Sequence, residues 1–180
     1  MTRVRAWTGT IVFLFIAPGI VAGLIPFAIT GWRVPDWGGW VWPSAIVAAV
    51  LILGGVAVLL NAFMRFARAD GTPAPVAPTA HLVVDGPYRF VRNPMYVAVA
   101  AIILGQALLF GSLWTLAYLA VTLTAVVSFV TFYEEPTLER RYGDEYRAYR
   151  ANVRGWIPRV TPWTPGEPAR NLPAPHAPGE

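Results

Sequence analysis

The chain alternates between long uncharged apolar runs and short connectors that carry its arginines. The first run, Thr8–Thr30, contains Pro18 and Pro26, and each proline removes a backbone donor and bends a helix. The second is Ser44–Met64; its Gly54–Gly55 pair permits close helix approach, and Asn61 near its end is placed for an interhelical hydrogen bond. The third begins at Asn93–Pro94, an N-cap residue followed by a proline at the first helical position, and runs to Ser112. The fourth, Leu113–Tyr133, returns across a tight turn at Gly111–Ser112, so the last two runs form a helical hairpin. A membrane-crossing helix needs about 20 mostly apolar residues. The third run, about 27 Å long at helical rise, barely suffices. The pattern predicts an all-α, polytopic membrane bundle of four spans, at about 8–30, 44–64, 94–112 and 113–133. An arginine-containing start before an apolar run also suits a signal peptide. The length of the run and the spans that follow favour an uncleaved helix.

The connectors add detail. Gly31–Pro43 holds four tryptophans, a composition suited to the headgroup region. Arg65–Gly86 contains TPAPVAP, which disfavours helix and central strand and reads as a linker. After Tyr133, the residues Leu138, Tyr142, Tyr146, Tyr149 and Val153 recur at helical spacing and make one apolar-aromatic stripe. An amphipathic interfacial helix over about 137–154 is expected. Residues 1–159 then form one integral-membrane domain, and the Pro-rich residues 160–180 a disordered tail.

Charge sets the topology. Only 13% of residues are charged, against about 25% in soluble domains. The basic residues are 14 arginines and no lysine. With both termini cytoplasmic, every arginine except Arg33 lies on the cytoplasmic side, a strong positive-inside bias for a bacterial inner-membrane protein. The net charge of +4 therefore reflects topology and contact with anionic membrane lipids, not nucleic acid. There is no cysteine, which excludes thiol chemistry, and His81 and His176 supply no metal-ligand set.

None of the four runs carries a charge, which disfavours ion-coupled transport. Candidate chemistry sits at the boundary, in two clusters. The first is GPYRFVRNPMY: Tyr88, Arg89, Arg92, Asn93, Pro94 and Tyr96 offer positive charge, flat aromatic surfaces and a helix start that attracts anions. The same residues also serve simply to anchor a span end. The second is Glu134–Glu135, directly after the fourth span, where a helix C-terminus disfavours negative charge. Such a placement calls for a partner: a ligand cation, ligand hydroxyls, or Arg92, Arg140 or Arg141. Pro136 is expected to break or kink the chain there. S-adenosylmethionine has matching parts, with a carboxylate, an ammonium, a diol, a purine and a sulfonium.

The two blocks GPYRFVRNPMY and EEPTLERRYGDEYRAYRANVRGWIP, spanning about Val83–Pro158, resemble the isoprenylcysteine carboxyl methyltransferase family and its phospholipid methyltransferase-like relatives. The shared positions are Gly86, Pro87, Tyr88, Arg89, Arg92, Asn93, Pro94 and Tyr96, then Glu134, Glu135, Leu138, Tyr142, Gly143, Tyr146, Tyr149, Ile157 and Pro158. The resemblance implies an integral-membrane methyltransferase that binds S-adenosylmethionine from the cytoplasm and takes a prenyl or other lipid acceptor from the bilayer. It implies that Arg92, Asn93, Tyr96, Glu134 and Glu135 line the cofactor site and that Tyr146, Arg154 and Pro158 close it. Asn93 stands where a histidine is often found, so a proton acceptor, if one is needed, falls to Glu135 or Glu134; Ala98 stands where glycine is common. Sterol-type membrane reductases, which require NADPH, and a non-catalytic lipid-binding scaffold are the competing readings.

Overall fold

The computed structural model describes residues 16–35, 41–68 and 82–164. The tryptophan loop from 36 to 40, the TPAPVAP linker, His81, the start of the first run and residues 165–180 lie outside the described residues. Six helical segments are defined: α1 (Ile16–Thr30), α2 (Val41–Arg68), α3 (Pro94–Phe110), α4 (Leu113–Phe129), α5 (Glu135–Tyr142) and α6 (Asp144–Asn152). Among the described residues there is no strand.

Among the described residues two helices are long and apolar enough to cross a membrane, over Pro43–Arg65 and Leu113–Tyr142. Their outer faces present large apolar side chains, with Leu53, Trp114 and Phe132 exposed by 69%, 80% and 81%. Water would not tolerate so continuous an apolar surface, whereas lipid does. The 17 residues of α3 and the described part of α1 are shorter.

Prolines shape two helices in the same way. In α1 a π-turn at Ile20–Leu24 closes with the Ile25 N–H donating to the Ile20 carbonyl. Pro26 follows and has no N–H to offer to Val21 or Ala22. Neighbouring helices fill the gap: the Tyr118 hydroxyl donates to Val21 O at 2.9 Å and Gln106 Nε2 donates to Ala22 O at 2.6 Å. In α4 a π-turn at Val130–Glu134 closes with the Glu135 N–H donating to Val130 O, and Pro136 follows. Of the break or kink expected at Pro136, the break does not occur. The π-turn absorbs the proline, and one helix runs from Leu113 to Tyr142.

The α2–α3 contact forms the centre of the core. A methyl group added at Gly55 would lie 2.8 Å from Ala98 O, and one at Gly105 would lie 2.9 Å from Ala48 O. The two backbones approach through these small residues, in the manner of membrane helix pairs. Gly54 faces open space, so only one glycine of the pair serves the packing. Leu59, Phe63, Ala98, Ile102, Ile103 and Leu119 fill the space between the helices. The α3–α4 turn follows the sequence expectation: Gly111 is left-handed (φ 56°) and Ser112 Oγ accepts from the Thr115 N–H.

The aromatic stripe is covered by the chain itself. Gly143, at φ 52° and ψ −121°, divides the anticipated single helix into α5 and α6. Tyr146, Tyr149 and Val153 then pack with Trp163, Leu82, Val84, Leu138 and Tyr142 in a second small core. Trp163 belongs to the segment expected to be disordered from residue 160, and its 5% exposure corrects that boundary. The paired aromatic surfaces of Tyr149 and Trp163 (centroids 5.8 Å apart) give the segment something to bury.

Leucine at position 55 cannot be accommodated without separating α2 from α3. Gly55→Leu is expected to cost at least about 1–3 kcal/mol, while Gly54→Leu changes stability by less than about 0.5 kcal/mol. Thermal unfolding of the two detergent-purified variants checks this; equal midpoints would refute the packing.

Candidate active site

The segment before α3 is fixed by charge and hydrogen bonding. Asp85 Oδ1 accepts from the Gly86 N–H at 2.7 Å, and Arg65 of α2 pairs with Asp85 Oδ2. Asn61 accepts from Arg65 Nε at 3.2 Å, one turn away on α2, so it braces its own helix instead of bridging two. A 3₁₀ turn over Gly86–Arg89 then leads to Val91, Arg92 and Asn93. Asn93 sits at the N-cap position with Pro94 at the first helical position, but its side chain makes no capping bond. Its amide is buried instead, at 8% exposure.

The head of α3 meets the end of α4. Arg92 Nη1 lies 3.0 Å from Glu135 Oε1, and both side chains are 13% exposed. The Tyr96 hydroxyl donates to Glu134 Oε2 at 3.0 Å. Arg92 Nη1 also donates to the Tyr146 hydroxyl at 3.2 Å, and Arg150 lies 3.4 Å from Glu135 Oε2. The partners expected on α5 are engaged otherwise: Arg140 bonds Thr137 and Arg141 stacks over the Tyr142 ring. Because the helix continues past Tyr133, the two glutamates are not at a helix C-terminus. The dipole penalty expected from sequence does not apply, and the arginines alone account for Glu135's placement. Burial pushes the Tyr146 phenol up to about 12 against the opposing pull of Arg92. Burial raises Tyr149 and Tyr88 as well. All three stay protonated near neutrality, so Tyr149 can donate to the Tyr88 carbonyl at 2.6 Å.

Between these helices lies a cavity of about 180 Å³. Its polar end is formed by Tyr88, Arg92, Asn93, Tyr96 and Glu134; the remainder is apolar, with Pro18 and Val21 of α1, Phe63 of α2, and Leu119, Leu123 and Val126 of α4. Two buried donors at the polar end, Arg92 Nε and Asn93 Nδ2, have no partner among the described residues. Buried donors are rarely left so. Arg92, Asn93 and Glu134 all line the cavity, so it is bordered by donor-bearing and acidic side chains together.

Most of the sequence-predicted residues converge here, and some do not line the cavity. Tyr88, Arg92, Asn93, Pro94, Tyr96 and Glu134 line it. Glu135 and Tyr146 stand behind Arg92 and hold it. Arg154 contributes its backbone carbonyl to the Arg92 N–H at 2.9 Å while its side chain is exposed; Pro158 is exposed too. Arg89 is engaged elsewhere, donating through Nε to Trp163 O at 2.7 Å. Sequence reasoning passed over Gly155 and Trp156. A methyl on Gly155 would lie 3.2 Å from Arg92 Nη2 and 3.5 Å from Asn93 Nδ2. The Trp156 ring lies 6.4 Å from that of Tyr96. The signal available was the RGWIP string itself, read only for its ends. The apolar wall was invisible because it draws a few residues from each of four helices.

The described helices thus present apolar outer faces around a cavity with both polar and apolar lining. Residues 43–145, more than half of the chain, match the phospholipid methyltransferase family, and the chain belongs to that family. It is thus a membrane-associated protein of a methyltransferase family. The match takes in α2, beyond the two motif blocks, and stops just before Tyr146. An uncharacterized protein of Haemophilus influenzae (strain ATCC 51907 / DSM 11121 / KW20 / Rd) is 38% identical over 65 residues, covering 35% of this chain and 100% of that protein. No solved structure matches.

The Arg92–Glu135 pair gives a direct test of the site's architecture. Glu135→Leu strands a buried guanidinium and is expected to cost about 3–5 kcal/mol, while the double variant Arg92→Met, Glu135→Leu costs less than either Glu135→Leu or Arg92→Met alone. Unfolding of the four proteins in detergent closes the cycle; additive losses would show that the two groups are not coupled.

Proposed function

We propose that the chain is an S-adenosylmethionine-dependent integral-membrane methyltransferase acting on a lipophilic acceptor, either an isoprenylcysteine-type carboxylate or a related lipid. In this reading all four apolar runs cross the bilayer, both termini face the cytoplasm, and the cavity's polar end opens to that side. The observation that carries the reading is one cavity lined by Tyr88, Arg92, Asn93, Tyr96 and Glu134 together with mostly apolar residues of four helices.

The residues present fit the cofactor. Arg92 and Asn93 would hold its anionic or hydrogen-bond-accepting groups, and Tyr88 and Tyr96 would supply flat surfaces. Among the described residues Glu134 has Tyr96 as its partner and no arginine, so its charge is available to a cation. When bound, S-adenosylmethionine supplies a methyl group on a sulfonium that is already activated, so no covalent enzyme intermediate is needed. The protein's part is orientation, worth up to about 7–11 kcal/mol of barrier, and exclusion of water by Phe63, Leu119, Leu123 and Val126. For a neutral acceptor Glu134 receives the proton released on methylation. Glu135 is already committed to Arg92 and Arg150 and acts by positioning Arg92.

The test is calorimetric titration of the purified protein with S-adenosylmethionine. Arg92→Lys keeps the charge opposite Glu135 but loses the Nε donor; Asn93→Leu loses the amide. Each is expected to weaken binding by roughly ten- to a hundred-fold, the loss of one hydrogen bond to a charged group at about 1.5–3 kcal/mol. Unchanged affinity in both variants would remove the polar end of the cavity from the donor site.

A further inference from the structure

Residues 154–164 leave α6 and run back across the head of α3 as an irregular strap. Four backbone hydrogen bonds tie it down: Arg92 N–H to Arg154 O (2.9 Å), Asn93 N–H to Gly155 O (3.2 Å), Arg159 N–H to Phe90 O (2.8 Å) and Trp163 N–H to Arg89 O (2.9 Å). The near end carries Gly155 and Trp156 onto Arg92, Asn93 and Tyr96. The far end is held by Arg89, whose Nε donates to Trp163 O at 2.7 Å and whose Nη2 donates to Thr164 Oγ1 at 2.8 Å. Trp163 is thereby seated on Tyr149 in the second core.

We propose that Arg89 is a positioning residue for the polar end of the cavity: its guanidinium clamps Trp163 and Thr164 and so holds the strap with Gly155 and Trp156 against Arg92, Asn93 and Tyr96. Asn93 has no capping bond of its own. Its place, and that of Arg92, is set in part by the two strap carbonyls their N–H groups meet. A strap without helix or sheet around it depends on its ends. Arg89 engages two acceptors at once through the fork that only arginine offers. Although Arg89 stands three residues from Arg92, it is not among the cavity-lining residues and acts through the strap alone. The importance of this for affinity rests on the reading of the cavity as a donor site.

The experiment uses the full-length protein in detergent, with Arg89→Ala, Arg89→Lys and Thr164→Val. Two readouts are taken: amide hydrogen exchange of the peptides covering 88–96 and 154–164, and S-adenosylmethionine affinity by calorimetry. Arg89→Ala is expected to speed exchange at both peptides, leave α2 and the body of α3 unchanged, and weaken donor binding at least tenfold. Arg89→Lys, which meets one acceptor and not two, recovers part of both effects. Thr164→Val moves both in the same direction by less, and it carries the test if Arg89→Ala does not fold. Unchanged exchange at 88–96 in Arg89→Ala overturns the clamp. So does faster exchange with wild-type donor affinity, because the strap would then not position the donors. A wild-type protein that binds no S-adenosylmethionine sinks the donor reading instead, and the exchange data still decide the clamp.

Discussion

The Arg92–Glu135 ion pair is the constraint from which the rest of the arrangement follows. It joins the start of α3 to the continuation of α4, with both side chains nearly out of solvent. A buried pair of this kind contributes little net stability, since desolvation offsets most of the Coulombic gain. What it fixes is position. With Arg92 drawn to Glu135 and braced by Tyr146, its side chain is held in the wall of the cavity. Glu134, one residue earlier, turns to Tyr96 and lines the cavity wall. Two adjacent glutamates thus take different roles because their neighbours differ.

The remaining structure delivers those two helix ends to one place. Small residues let α2 and α3 approach to backbone contact, which brings Phe63 and Leu59 to the apolar wall. A proline-linked π-turn in α1 is satisfied by Gln106 and Tyr118, which seats Pro18 and Val21 opposite α4. A second π-turn lets α4 pass Pro136 and carry the glutamates without a break. In both helices a residue type that normally interrupts a helix is accommodated by one wider turn, and the widened turn lies beside the cavity.

Much of this was legible in the sequence, and the exceptions have physical reasons. The helical class, the Gly111–Ser112 hairpin and the meeting of Asn93–Tyr96 with Glu134–Glu135 followed from run lengths, turn residues and the two motif blocks. Pro136 was read as a break or a kink because a proline's missing donor is a local fact, whereas a π-turn's capacity to carry the helix past it is not. The stripe from Leu138 to Val153 showed that one face must be buried but not what buries it. The cover is the chain itself, through Trp163 and Leu82–Val84, which lie far off in sequence. Arg89 and Arg92 are equivalent in a motif; only the fold shows that one guanidinium faces Trp163 and the other the cavity. Gln106 drew no notice as an uncharged residue in an apolar run, yet it repairs the gap left by Pro26 in another helix.

The central claim is that the polar end of this cavity holds a sulfonium nucleoside. Native mass spectrometry of the protein extracted from its membrane in mild detergent tests it most directly. The account predicts an adduct with the mass of S-adenosylmethionine or its demethylated product on the wild-type protein, absent from Asn93→Leu. An adduct with the mass of a nicotinamide dinucleotide, or no adduct even with S-adenosylmethionine added in excess, would contradict it.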